Sequence, residues 1–167
     1  MKVPISIERS LEVPAPHAKA RSLLQDLEGT LRRFPKLRSL KKIGDSSYLW
    51  QMNAIGSTIA GISHEVVYAA NYVVDSGKSR LSWEPLPKYG NAVIAGSFQL
   101  RDSGANTQLI FGVNGELRDV PVPLMYRLLA PPFIQGKFTR LVDIFLEQTR
   151  DALLAGTATA PRKHSTR

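Results

Sequence analysis

A histidine and two tyrosines alternate with apolar residues in the stretch Gly61 to Asp75, "GISHEVVYAANYVVD". With the period of two of a β-strand, His64, Tyr68 and Tyr72 lie on one face. We expect this face to point inward because the opposite face is more polar. A histidine beside tyrosines in an apolar cavity can hold a ligand carbonyl or act as a general base. His64 and Tyr68 are therefore the candidate catalytic residues.

Two other interpretations of this stretch stay open. In the opposite register, Glu65 and Asn71 would point inward instead. A single histidine in a strand is also often a hydrogen-bonded or surface residue without a catalytic role, since ionisable groups mark functional sites only statistically.

Large apolar side chains on the other predicted strands and on the last helix are candidates for the wall of a pocket. Apolar ligand sites are lined mainly by hydrophobic and aromatic side chains with few polar anchors. Ordinary core packing is the alternative for each of them. The candidate ligand-binding residues are Trp50, Met52, His64, Tyr68, Tyr72, Trp83, Phe98, Phe111, Ile134, Phe138 and Leu141.

Positive charge is concentrated in one run, which contributes much of the formal net charge of +8. Such a cluster can hold an anionic membrane surface or an acidic partner, and a solvated surface is the alternative. Nucleic acid is not an expected partner, because the run matches no nucleic-acid-binding motif and has little aromatic interleaving. The run "RRFPKLRSLKK" carries Arg32, Arg33, Lys36, Arg38, Lys41 and Lys42 and no acidic residue.

Composition argues against several classes of protein. The chain has 167 residues and no cysteine, and its histidines, at 17, 64 and 164, lack the spacing of metal ligands. We therefore expect no metal and no cofactor. No apolar run has the length of a membrane span, and the first residues lack the apolar segment of a signal peptide, so we expect a cytoplasmic protein.

Hydrophobic periodicity divides the chain into one strand, two short helices, a series of strands and one long helix. Pro131 and Pro132 fit the first turn of that helix, where missing amide protons cost nothing. We expect one domain over residues 1–155 and a basic, disordered tail over residues 156–167. The predicted strands are Val3–Val13, Leu37–Ile43, Tyr48–Ile55, Gly61–Asp75, Ser79–Trp83 and a hairpin within Asn91–Val120; the predicted helices are His17–Glu28, a short one through Leu31 and Phe34, and Pro131–Leu154.

The predicted architecture is α+β, with a curved antiparallel sheet of seven strands around the long C-terminal helix. A single helix is about 10 Å across, so it cannot fill a strongly curved sheet alone. Gly96, Gly112 and Gly115 lie in the apolar face of the last hairpin and leave space there. They indicate either a hollow behind the sheet or β-bulges at a corner of the sheet.

The segments "SRLSWEP" and "AVIAGSFQLRDSGANTQLIFGV" and the helix opening "LAPPFIQGKF" resemble those of the START-like superfamily, also called SRPBCC. Gly96, Phe98 and Thr107 are among the residues that carry this resemblance, which extends from Val3 to Leu154. The superfamily includes birch-pollen-allergen-like, polyketide cyclase/dehydrase-like and coenzyme Q-binding proteins. The resemblance implies a helix-grip fold with an apolar cavity between the sheet and the long helix.

Three functions are compatible with these observations. The favoured one is a carrier or sensor for a hydrophobic small molecule such as a lipid, an isoprenoid, a quinone or a polyketide-like compound. The second is an enzyme of the polyketide cyclase or aromatase type that uses the same cavity, with His64 or Tyr68 moving a proton. The third is a protein that docks on an anionic membrane or an acidic partner through its basic run.

Overall fold

The chain places one antiparallel sheet against one long helix. The computed structural model describes residues 1–57 and 61–162. Within these residues the strands are β1 Val3–Val13, β2 Leu37–Lys42, β3 Ser47–Met52, β4 Ile55–Ser57, β5 Ile62–His64, β6 Val67–Asp75, β7 Arg80–Pro85, β8 Ala92–Ser103 and β9 Asn106–Leu117. The helices are α1 His17–Ala20, α2 Ser22–Gln25, α3 Leu27–Leu31 and α4 Ala130–Arg162, with a 3₁₀ turn at Leu124–Tyr126.

Seven of the described strands form the main sheet, in the order β1-β9-β8-β7-β6-β3-β2, and every neighbouring pair is antiparallel. β1 pairs with β9 along its whole length, from Val3 opposite Leu117 to Val13 opposite Thr107. The Thr107 hydroxyl donates a hydrogen bond to the carbonyl of Ala15, 2.9 Å away, and so ties β9 to the end of β1. This topology confirms the predicted α+β architecture.

The predicted strand Gly61–Asp75 is divided into two parts. β5 pairs with β4 in a separate hairpin, in which His64 lies opposite Ile55, whereas β6 belongs to the main sheet. Tyr68 and Tyr72 are buried, as the favoured register predicts. The interruption at residues 65 and 66 takes His64 away from the strand that carries the tyrosines.

The first predicted helix is also interrupted. Instead of running from His17 to Glu28, the chain forms three short helices, and Gly29 lies inside the third rather than after the first. Asp26 explains the start of α3, because its side chain accepts a hydrogen bond from the amide of Gly29 at 3.1 Å and so caps this helix.

Helix α4 begins at Ala130, with Pro131 and Pro132 in its first turn as predicted. It extends to Arg162, beyond the predicted end at Leu154. The predicted disordered tail therefore begins with helix, and its last residues, 163–167, lie outside the described residues. None of the helices in the described ranges combines the length and the hydropathy of a membrane span.

Candidate ligand cavity

A small cavity lies between the main sheet and α4. Its volume is about 40 Å³, whereas sites for drug-sized ligands hold about 300–1,000 Å³. Six strands of the main sheet, β1, β3, β6, β7, β8 and β9, contribute side chains to the lining. The sheet therefore curves around the helix. The lining side chains are Ile5, Leu31, Phe34, Trp50, Met52, Tyr68, Tyr72, Trp83, Ile94, Phe111, Val113, Phe138, Val142 and Phe145.

The structure brings most of the candidate ligand-binding residues to this cavity. Those that line it are Trp50, Met52, Tyr68, Tyr72, Trp83, Phe111 and Phe138. Phe98, Ile134 and Leu141 are buried but belong to the core around the cavity rather than to its lining. His64 lies elsewhere. That the lining residues bind a ligand stays a prediction.

Some lining residues did not stand out in the sequence. Ile94 and Val113 lie on the apolar faces of the last hairpin, so the period-two pattern contained a signal for them. Val142 and Phe145 likewise lie on the apolar stripe of α4. The sequence predicts a short helix through Leu31 and Phe34, but α3 ends at Leu31, so Phe34 lies outside the regular elements, between α3 and β2.

Phe34 packs against three other aromatic residues of the cavity lining. Its ring centroid lies 5.8 Å from that of Trp50, 6.5 Å from that of Phe111 and 5.6 Å from that of Phe145. The side chain lines the cavity and is only partly buried, so part of it contacts solvent. Phe34 therefore lies between the cavity and solvent.

A pair of tyrosines supplies polar groups to the wall. The indole Nε1 of Trp50 donates a hydrogen bond to the Tyr72 hydroxyl at 2.8 Å, and the Tyr68 hydroxyl interacts with that of Tyr72. Burial raises the pKa of Tyr68 and of Tyr72 well above the usual range. Both phenols stay neutral at physiological pH, so they can donate or accept hydrogen bonds but do not serve as bases.

Trp83 supplies a hydrogen-bond donor without a partner. Its side chain is 5% exposed, and its Nε1 has no hydrogen-bond partner among the described residues. Gly96 lies opposite Trp83 on β8, and a Cβ atom at Gly96 would overlap the indole ring. The space left by this glycine is therefore filled by Trp83 and is not a hollow, which corrects that interpretation of Gly96. Burying an unpaired N–H costs about 1–3 kcal/mol.

His64 is buried in the β4–β5 hairpin rather than beside the tyrosines. Its Nε2 has no partner among the described residues. Burial lowers the pKa of His64 below its usual value of 6.5, the charge of Asp119 opposes this shift, and the amino terminus adds to it. Since His64 does not line the cavity, its predicted contact with a bound ligand has no support in the geometry.

Replacing His64 with leucine should reduce the loss of stability in mild acid. Because the folded chain holds His64 neutral, the unfolded chain binds a proton near pH 6.5 that the folded chain does not. The free energy of unfolding therefore decreases as the pH falls through the unfolded pKa towards the folded one. Urea denaturation at about pH 7 and about pH 5 measures this loss. An equal loss in wild type and His64→Leu would contradict the assignment.

The basic run covers the turn segment after α3 and the strand β2. Arg32 lies 3.5 Å from Glu28, and Arg38 lies 3.3 Å from Glu65, so two of its cations form ion pairs. Lys41 and Lys42 are exposed on β2, at the edge of the main sheet. Lysines at an exposed edge also discourage pairing with another strand. Among the described residues, no group of three His, Cys, Asp or Glu side chains comes together as metal ligands would.

Comparison with known proteins gives a likeness in fold. No family model and no curated protein sequence matches the chain, but many solved structures do. The Zhui aromatase/cyclase from Streptomyces sp. R1128 is 14% identical, with a TM-score of 0.66 over 91% of this chain and 94% of that chain. A START superfamily protein from Mycobacterium smegmatis is 14% identical, with a TM-score of 0.60 over 89% and 96%. Norcoclaurine synthase from Thalictrum flavum is 15% identical, with a TM-score of 0.58 over 92% and 88%.

Proposed function

Since the chain has the START-like helix-grip fold, we propose that it binds an apolar small molecule between the main sheet and α4, as a carrier or sensor. The observation that supports this proposal is the unpaired N–H of Trp83 in the wall of a largely apolar cavity. A buried donor without a partner is unfavourable in the folded chain, and an acceptor atom of a ligand would satisfy it.

Binding requires the cavity to expand. An apolar protein cavity of about 150 Å³ is large enough for benzene, and the present volume is about 40 Å³. Phe34 is the side chain best placed to move, because it is half-buried and lies outside the regular elements. Movement of its ring would both enlarge the cavity and open a path from solvent.

The polar groups of the wall restrict the ligand. Trp83 can donate one hydrogen bond, and Tyr68 and Tyr72 are neutral. No lysine or arginine is among the residues that line the cavity in the described part of the chain, so nothing there would balance an anionic group. The proposed ligand is therefore a neutral, largely apolar molecule with an acceptor oxygen, such as the carbonyl of a quinone, a polyketide-like compound or an isoprenoid ketone.

Intrinsic fluorescence provides a direct test, because both tryptophans of the chain, Trp50 and Trp83, line the cavity. We expect 1,4-naphthoquinone to quench this fluorescence with saturation, and we expect native mass spectrometry to show a complex with one ligand. Extraction of the purified protein would identify any natural ligand that remains bound. Absence of saturable quenching by any neutral apolar carbonyl compound would contradict the proposal.

Replacing Trp83 with phenylalanine should weaken binding of carbonyl ligands selectively. The substitution keeps an aromatic ring but removes the donor, and a hydrogen bond contributes about 1 kcal/mol, or about a fivefold change in Kd. We expect this loss for 1-acetylnaphthalene, measured by quenching of Trp50. Naphthalene has no acceptor and serves as the matched control, with an expected change of less than about twofold. Equal losses for both compounds would show that Trp83 contributes packing alone.

Cyclase activity remains the second hypothesis. The aromatase/cyclase and norcoclaurine synthase among the structural neighbours favour it through their fold. The candidate base His64 is not in the cavity lining, and the raised pKa of Tyr68 keeps this phenol protonated. A reaction in this cavity would therefore depend on folding the substrate and on hydrogen bonding rather than on a side-chain base. Cyclisation of a poly-ketone substrate at a rate that is independent of His64 would support this form of the hypothesis.

A further inference from the structure

The segment Leu124–Phe133, which leads into α4, exposes a group of large apolar side chains. Leu124, Met125, Leu128 and Leu129 are between 65% and 92% exposed, and Phe133 is 37% exposed. Contiguous apolar side chains with this exposure mark interaction surfaces more often than single exposed ones do.

The segment is anchored to the rest of the chain, so its apolar side chains are held outward. Val122 and Ala130 are buried on either side of the 3₁₀ turn, and Tyr126 packs against the core. The amide of Tyr126 donates to the carbonyl of Pro123 at 2.9 Å, and the amide of Leu129 donates to that of Tyr126 at 3.0 Å. Val122, Tyr126 and Ala130 take the positions that face the core, so the leucines project into solvent.

The segment lies in a stretch of the sequence whose charged residues are all positive. Between Asp119 and Asp143 the sequence has no acidic residue, and it carries Arg127, Lys137 and Arg140, which are exposed. The Nζ of Lys137 lies 5.3 Å from the centre of the Phe133 ring. Projecting Leu, Met and Phe side chains flanked by cations match the apolar boundary and the headgroup layer of an anionic bilayer.

We propose that the segment Leu124–Phe133 is a docking surface for an anionic lipid bilayer. A protein partner fits less well, because a stable interface takes about 800 Å² from each partner, and these side chains come from one ten-residue segment rather than from several elements that form a broad face. The basic run is a weaker candidate, since Arg32 and Arg38 form ion pairs and no large apolar side chain is exposed in it. Docking here would place the start of α4 at the membrane, close to the cavity residue Phe138.

Vesicle binding tests this proposal without any cavity ligand, so its outcome is independent of the proposed function. We expect wild type to co-sediment with phosphatidylcholine vesicles that contain about 30 mol% phosphatidylglycerol, and to bind pure phosphatidylcholine vesicles more weakly. The double variant Leu128→Ser, Leu129→Ser should bind the anionic vesicles at least about tenfold more weakly, because it loses two leucines that would insert.

Two further variants serve as controls, after circular dichroism has shown that all variants are folded. Val73→Ser, Val74→Ser changes exposed apolar residues on β6 and should bind within about twofold of wild type. Lys41→Ser, Lys42→Ser removes unpaired cations of the basic run and should reduce binding less than the leucine variant does. Three outcomes would overturn the proposal: no binding of wild type to anionic vesicles, loss of binding in the lysine variant alone, or a dimer that the leucine variant dissociates without any vesicle binding.

Discussion

Phe34→Ala is expected to bind naphthalene at least about tenfold more tightly than wild type does. In wild type the ligand must displace a ring that contacts Trp50, Phe111 and Phe145. Each aromatic pair contributes about 0.5–1.5 kcal/mol beyond the burial of area, and about 1.4 kcal/mol corresponds to a tenfold change in Kd. In Phe34→Ala these ring contacts are absent, so the ligand binds without breaking them. Quenching of the two tryptophans measures the affinity.

The control for this variant is Tyr89→Ala, which removes an exposed aromatic side chain that does not line the cavity. Its affinity for naphthalene should equal that of wild type. Wild type itself should bind measurably, because Phe34 is proposed to move rather than to close the cavity permanently. Binding to Phe34→Ala with no binding to wild type would show a cavity made by the substitution and would contradict the proposed function.

Phe145→Ala is expected to lower the free energy of unfolding by about 3–5 kcal/mol, the usual cost of removing a buried phenylalanine. Phe145 is buried on α4, and its ring centroid lies 5.6 Å from that of Phe34, 5.7 Å from that of Phe98 and 5.3 Å from that of Phe111. It therefore joins the helix to the sheet at the cavity. A domain is stable by about 5–15 kcal/mol in total, so the variant should unfold at a much lower urea concentration.

Phe133→Ala is the matched control, because it removes the same side chain from the same helix at a half-exposed position. Its expected loss is about 1 kcal/mol or less, mainly from the contact between Phe133 and Lys137. Similar losses for the two variants would contradict the arrangement of α4 against β8 and β9.

These predictions concern side chains that line the same cavity. Phe145 packs the helix against the sheet, and the Phe34 ring lies 5.6 Å from it in the lining of the cavity. The proposed function requires the Phe34 ring to move so that this small cavity can accept a ligand. In the proposed complex, the unpaired N–H of Trp83 would orient the ligand.

Elements with a long, regular pattern were predictable from the sequence. The apolar stripe of α4 and the alternation in β8 and β9 depend on residues that are neighbours along the chain, so periodicity reveals them. These patterns also placed Phe111 and Phe138 correctly at the interior. Interruptions were less predictable, because the cap that Asp26 provides to α3 depends on one hydrogen bond rather than on a repeated pattern.

Three features of the site were decided by tertiary structure. His64 and Tyr68 are four residues apart, so they would lie on the same face of a continuous strand. The strand is interrupted between them, so this rule does not apply. Gly96 leaves space on its face, but the indole of Trp83 on the next strand occupies it. Phe34 reaches the cavity from an irregular segment. Sequence alone determined the layers and the inward faces through local periodicity, whereas contacts between distant residues decided which side chains meet and how little space they leave.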